Sequence, residues 1–267
     1  MILRILGVLS AFIRRDFLEQ NRYSPAWIGQ AVGIFFEVYT TYFLAQLFNG
    51  SPSLNAYGGN YFEYAIVGTM TFQLLYAMTD ALPKIIGNAQ YQGTLEPLLS
   101  SPSPLWLILV GSCSYSIVIE LINLIVLALA AWILARQVFL VEPHWEIVIS
   151  LIVLHGLCAW GLGVITASFL LAYKVSTPLV SWTLAGCSLL AGYFYPVSVL
   201  PGFLQTLARL FPFTYGMQAL RLALQGQVII GAIAIFTFFT ILTLTIARWS
   251  FQKALIIARQ DGNLTYQ

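Results

Sequence analysis

The chain has 267 residues, of which 59% are apolar or tyrosine and only 8% are charged, with 12 Lys and Arg against 10 Asp and Glu. Soluble domains carry roughly 25% charged residues, and so sparse a set cannot clothe a water-exposed surface of this size. Soluble enzymes, disordered chains, coiled coils and nucleic-acid binders are excluded, which leaves a polytopic integral membrane protein.

Residues 1–24 open the chain. Ile2, Ile5, Leu6, Leu9, Phe12, Ile13 and Phe17 fall on one helical face, and Arg4, Arg15 and Arg22 on another, with Asp16 on the apolar side. This is the pattern of an amphipathic interfacial helix. It reads either as an anchor on the membrane surface or as an anchor that also docks a cytoplasmic partner. Arg14, Arg15 and Asp16 interrupt the apolar run before a cleavage site for a signal peptide is reached.

Six stretches of membrane-spanning length follow, at about 25–48, 61–82, 104–134, 147–172, 178–196 and 228–247. The third is long enough to tilt or to project beyond the hydrocarbon core. Pro102 and Pro104 suit its first turn, where a missing N–H costs little. Arg4, Arg14, Arg15, Arg22, Lys84, Lys174, Arg248, Lys253 and Arg259 fall on the N-terminal side of the membrane, against Arg136, Arg209 and Arg221 on the other. The excess of positive charge predicts cytoplasmic N- and C-termini. Trp27, Trp106, Trp145 and Trp249 near span ends fit an aromatic belt. Tyr39, Tyr42, Phe43, Phe48, Tyr61 and Phe62 read as belt residues too, or as the lining of a glycan path. The 25–247 unit shows no second domain or strong repeat, and 248–267 reads as a short cytoplasmic tail.

Two connections stand out. The cytoplasmic link 83–103 centres on Tyr91-Gln92-Gly93-Thr94-Leu95-Glu96-Pro97-Leu98-Leu99-Ser100-Ser101-Pro102. Gly93 breaks a helix and Pro97 restarts one. The outer segment 197–212, with its approach from Tyr195 and Pro196, is too apolar for a free loop and too rich in proline (Pro201, Pro212) to span. Irregular backbone at membrane depth persists only inside protein or beside a water-filled cavity, so a re-entrant hairpin in the outer leaflet is predicted between helices five and six.

Charges at a helix centre cost about 2.5–3.5 kcal/mol on insertion scales. Glu37 and Glu120 are in that position. Glu37 shares a helical face with Gly33, Thr40 and Thr41, and Glu120 with Ser112, Ser116 and Asn123, while Thr69, Gln73, Tyr76 and Asp80 form a third stripe. These stripes face another helix or line a polar path. His155 and Cys158 lack the further ligands a metal site needs, and Cys113, Cys158 and Cys187 read as small buried apolar residues. No phosphate loop, nucleophile elbow or zinc-protease motif occurs. No catalytic residue, cofactor or metal is therefore indicated.

The two connections together resemble those of the ABC-2 family of ABC-transporter membrane subunits. The family's cytoplasmic loop is matched by Gly93, Thr94, Leu95, Glu96, Leu98, Leu99, Ser101 and Pro102. Its outer segment is matched by Phe194-Tyr195-Pro196, Leu200-Pro201, Pro212, Tyr215 and Leu220-Arg221. Relatives often carry charges just before the loop glycine, where this chain has Gln90, Tyr91 and Gln92. The resemblance implies an all-α membrane protein of six transmembrane helices, with the interfacial helix and the re-entrant hairpin. It implies half of a translocation pathway, completed by a second permease, by expectation an identical copy. It also implies a separate ATPase subunit that contacts residues 2–22 and the 83–103 loop. Export of an amphipathic substrate (a drug, a lipid or a lipid-linked glycan) across a bacterial inner membrane is the resulting expectation. The rival is a proton-coupled secondary transporter using Glu37, Glu120 and Asp80.

Overall fold

The computed structural model describes residues 2–20, 25–48, 60–99, 105–135, 143–173 and 177–260. Arg22, Ser101, Pro102, Arg136, Lys174 and the chain beyond 260 lie outside the described residues, as do the side chains of Arg4, Trp27, Leu98, Leu99 and Trp106. Among the described residues all regular structure is helical. In order these are α1 (Ile2–Gln20), α2 (Pro25–Phe48), α3 (Tyr61–Tyr91), α4 (Leu95–Leu99), α5 (Leu105–Ala135), α6 (Trp145–Tyr173) and α7 (Thr177–Leu190). A 3-10 turn at Val197–Val199 leads to α8 (Gly202–Arg209), α9 (Pro212–Leu224) and α10 (Ile230–Gln260).

Four of the described helices, α2, α5, α6 and α10, are long and apolar enough to cross a membrane. The other two expected spans differ, for different reasons. α3 has 31 residues, but Glu63, Gln73, Asp80 and Lys84 make it more polar. α7 is apolar but has only 14 residues, about 21 Å of helix against a hydrocarbon core of about 30 Å. It ends at Leu190 rather than continuing to 196. Two other ends move outward. α3 continues through Pro83 to Tyr91, and α10 continues to Gln260, so that most of the expected tail is helix. An interior proline forfeits one backbone hydrogen bond, but burial holds α3 together beyond it. Leu82, Ile86 and Ala89 pack with Val164, Ala167 and Leu171 of α6 and with Phe251, Ala254 and Ala258 of α10.

α3, α6 and α10 run side by side in the same direction, and small residues set their spacing. A Cβ on Gly163 of α6 would lie 2.7 Å from the Met78 carbonyl of α3, and one on Gly161 would lie 3.0 Å from Thr243 of α10. Close approach of this kind is how helices associate where no hydrophobic force separates them from lipid. The hydroxyls of α10 are satisfied inside the helix: Thr237, Thr240, Thr243 and Thr245 each donate to the carbonyl four residues back, at 2.8–2.9 Å. α2 and α5 flank this trio through Ile34, Val38, Ala45, Leu127 and Ala131, packed on Phe62 and Ile66 of α3. α1 lies against α5, where the Phe12 ring fills the notch left by Gly111.

The break after α7 is the most constrained part of the fold. Gly192 turns the chain at φ +75°, a left-handed conformation suited to glycine. The exposed carbonyls are then taken one by one. Leu189 accepts from the Tyr195 hydroxyl (3.0 Å) and Leu190 from Thr214 (3.3 Å). Gly192 accepts from Arg221 (2.7 Å) and Tyr64 (2.8 Å), Tyr193 from Arg221 (2.8 Å), and Phe194 from Tyr61 (3.1 Å). The Arg221 guanidinium also donates to the Tyr64 carbonyl (3.2 Å) and stacks 3.4 Å over the Tyr64 ring.

Gly68 is the counterpart of this clamp. A Cβ there would overlap the Tyr193 carbonyl oxygen at 1.7 Å. Gly68→Ala is therefore expected to abolish accumulation of folded protein, whereas Gly231→Ala, which meets no atom within 4 Å, leaves it unchanged. Arg221→Met leaves the Tyr193 carbonyl without its donor and is expected to cost about 1–3 kcal/mol. Size-exclusion profiles and thermal unfolding in detergent check all three; a Gly68→Ala protein melting like the parent would contradict the clamp.

Candidate functional site

Three helices bring polar groups together inside the apolar bundle. Gln73 of α3 donates its amide to the Glu37 carboxylate of α2 at 2.5 Å. Glu120 of α5 is 8% exposed, a second buried carboxyl group in the bundle. One amide and one carboxyl thus bond across helices that share no sequence proximity, and α5, packed on α2 and α3, carries a further buried carboxyl. Buried carboxyl groups are expensive at this depth, and the cluster either joins the helices or borders a polar path.

The rest of the expected stripes divide. Thr69 is buried and Tyr76 is 52% exposed, so the α3 residues do not share one environment. Asp80 and Ser116 are half-buried, nearer the α4 end of α3 and α5 than Gln73 and Glu120. On α2, Gly33 and Thr40 are exposed, and the Thr41 hydroxyl turns back to the Glu37 carbonyl at 2.8 Å. Among the α2 stripe residues, Glu37 therefore provides the cross-helix hydrogen bond.

The second element is the turn that ends α3. Gly93 adopts φ +68°, and the N–H of Thr94 returns to the Ala89 carbonyl at 2.9 Å. α4 follows at once. Leu95 is buried at 2% exposure, packed in the cluster of Leu82, Ile86, Cys113 and Leu171. Glu96 and Pro97 are exposed, as are Tyr91 and Gln92. The first part of the expected 83–103 loop is thus helix to Tyr91, followed by a turn at Gly93 and the five-residue α4, whose Leu95 is packed into the bundle.

The third element is the broken segment after α7. Tyr195, Pro196, Leu200 and Pro201 lie between α7 and α8, and Gln205 of α8 donates to the Leu200 carbonyl at 2.8 Å. Pro212 is not the end of an irregular loop but the first residue of α9, a 13-residue helix whose Phe213, Met217, Leu220 and Arg221 are buried. Proline at N1 with apolar residues at i, i+4 and i+7 is a readable helix signal. Arg221 is not an outer-face surface charge. It is 5% exposed and serves as the carbonyl clamp.

Other groups at this segment carry no sequence signal of their role. The His155 Nε2 of α6 lies 2.7 Å from the Tyr193 hydroxyl, and its ring packs 4.8 Å from that of Phe213. Phe72 meets Tyr193 and Phe194 edge-on. Tyr61, expected in the aromatic belt, is a hydrogen-bond donor to the break. Cys113, Cys158 and Cys187 are buried free thiols.

Comparison with known proteins bears on all three elements. The ABC-2 type transporter family profile matches residues 8–225. The inner membrane transport permease YadH of Escherichia coli K12 is 22% identical over 212 residues, covering 78% of this chain and 80% of the relative. YadH of Shigella flexneri matches to the same extent. The matched range takes in the polar cluster, the Gly93 turn and the clamped break, and the chain, a multi-pass membrane transport permease, belongs to the ABC-2 type transporter family.

Proposed function

We propose that the chain is the inner-membrane permease subunit of an ATP-driven exporter, with both termini cytoplasmic. Two identical copies complete a path for an amphipathic substrate such as a drug, a lipid or a lipid-linked glycan, and a separate ATPase drives them. The observation that carries this reading is the build of α4. Its outer residues Glu96 and Pro97 are exposed while Leu95 is sunk among α3, α5 and α6. A partner pressing there moves packed helices rather than a free loop, which is what a rigid-body switch requires. α1 stands on the neighbouring α5, with Phe12 against Gly111, six residues into that helix. Both surfaces then face one cytoplasmic partner.

The six-crossing topology is part of the same proposal, with α3 crossing as a shielded helix and α7 as a short fifth span. Its support is the way α7 ends against Tyr61 and Tyr64, in the first turn of α3. α9 supports the re-entrant hairpin. It starts with Phe213 beside His155, about 15 Å along α6 from Trp145 at 1.5 Å per residue. It finishes with the Ala223 carbonyl accepting the N–H of His144, just before α6 begins. The chain between α7 and α10 therefore goes in and comes back on one side. The domain reading follows: an interfacial helix over 1–24, and a transmembrane unit over 25–247 that includes 83–103 and 197–212. The 248–267 extension belongs mostly to α10.

Gentle-detergent pull-down of the tagged protein, with ATPase activity read on the eluate, tests the partner. Gly93→Pro, which cannot adopt the positive φ, and Glu96→Arg, at an exposed position, are expected to lose most co-purifying activity while remaining in the membrane. An eluate without ATPase, together with substrate-linked proton uptake in liposomes, would replace this reading with a secondary carrier. Glu120→Leu tests the polar cluster. It removes a buried carboxyl that is costly in the membrane, so the variant is expected to melt no lower than the parent yet lose most ATP-driven uptake of an amphipathic dye into inverted vesicles. Undiminished transport would remove Glu120 from the path.

A further inference from the structure

A groove of about 520 Å³ lies between α5, α6 and α10, apart from the polar cluster and the clamped break. α6 contributes Trp160 and Val164, α5 contributes Leu109, and α10 contributes Leu244, Arg248 and Gln252. The lining is therefore apolar except along one rim. Arg248 and Gln252 are one turn apart and both exposed. Among the described residues no carboxylate forms an ion pair with Arg248.

The depth of this rim matters. Arg248 is 18 residues past the start of α10 at Ile230, about 27 Å along the axis. That is close to the thickness of a hydrocarbon core, about 30 Å. The neighbouring Trp249 is 59% exposed, and Lys253 stacks 3.9 Å from its ring. Exposed tryptophan and snorkelling basic residues mark the headgroup level. The groove thus places apolar walls at acyl-chain depth and a cation at headgroup depth, on the same side of the bilayer.

We propose that this groove holds an anionic glycerophospholipid of the surrounding leaflet. One acyl chain lies against Leu109, Trp160, Val164 and Leu244, the headgroup phosphate pairs with Arg248, and Gln252 donates to it. A guanidinium is the side chain best matched to phosphate oxygens. The proposal needs only that α10 crosses the bilayer, so it stands or falls separately from the exporter reading.

The test is native mass spectrometry of the detergent-purified full chain, with phosphatidylglycerol or phosphatidylcholine of identical acyl chains added. The parent protein is expected to retain phosphatidylglycerol about fivefold better, roughly the contribution of one basic residue near a membrane surface. Arg248→Gln, at an exposed side chain, brings the two lipids level, while Lys253→Gln, outside the groove, changes the ratio by less than about twofold. Leu109→Trp, checked for an unchanged melting temperature, fills the groove and lowers retention of both lipids. Equal retention of the two lipids by the parent protein overturns the proposal. So does a preference that survives Arg248→Gln, or one that Lys253→Gln removes as fully. Where Leu109→Trp melts lower than the parent, the Arg248 and Lys253 variants decide the outcome.

Discussion

A helix that stops within an apolar bundle exposes carbonyl oxygens that no water reaches, and each must find a donor. The rest of the structure is arranged around that requirement. Arg221 from α9, Tyr61 and Tyr64 from α3, Thr214 from α9 and Tyr195 from the break itself supply the donors. The guanidinium suits this place because one planar group serves several acceptors, and because a cation sits well at the carbonyl end of a helix. Gly68 is part of the same solution: only a residue without a side chain lets the Tyr193 carbonyl lie on α3. Removal of Arg221 leaves the buried Tyr193 carbonyl without its donor, so hydrogen bonds as well as apolar area hold the break.

Around this clamp the helices fall into two packing regimes. α3, α6, α9 and α10 approach through glycine notches and through the buried Tyr193, Phe213 and Phe236 rings. α2 and α5 join through fewer buried side chains and keep much of their apolar surface exposed, as at Phe36, Leu47, Ile125 and Ile133. Glu37 and Gln73 bond at this looser seam, where α5 also carries the buried Glu120. Polar groups between weakly packed helices can change partners at lower cost than groups locked in the dense trio. α4 and α1 attach to the ends of the helices that border the seam. α3 and α5 run from α4 to the helix segments that carry Gln73 and Glu120.

The elements that could be read from the residues were those set by local physics. Apolar length marks α2, α5, α6 and α10, and the Gly93 turn is marked by a glycine between a helix and Leu95. The misread ends share one cause. Pro83 reads as a boundary because proline removes a hydrogen bond, but burial of Leu82 and Ile86 against α6 and α10 outweighs that loss. The α10 end reads as a polar tail because Arg248 and Lys253 interrupt the apolar run, yet Phe251, Ala254 and Ala258 form a buried face beneath them. Arg221 reads as a surface charge because a cation is counted by its sequence neighbours, whereas its acceptors are 28, 29 and 157 residues away.

The sequence by itself determined that this is a membrane protein, where most of its helices lie, which family it resembles, and which carboxyl groups stand in the apolar region. Composition and helical period are local properties that suffice for the helices and the carboxyl groups, and the resemblance rests on the two connecting motifs. Only the tertiary structure decided that α7 stops short, that α9 exists as a buried helix, and that Glu37 bonds Gln73. It alone turned Tyr61 and Arg221 from belt and surface residues into partners of one break, alongside Tyr64 and His155. Those outcomes depend on which carbonyl lacks a donor once the helices are packed, and that quantity does not exist until residues distant in the chain are brought together.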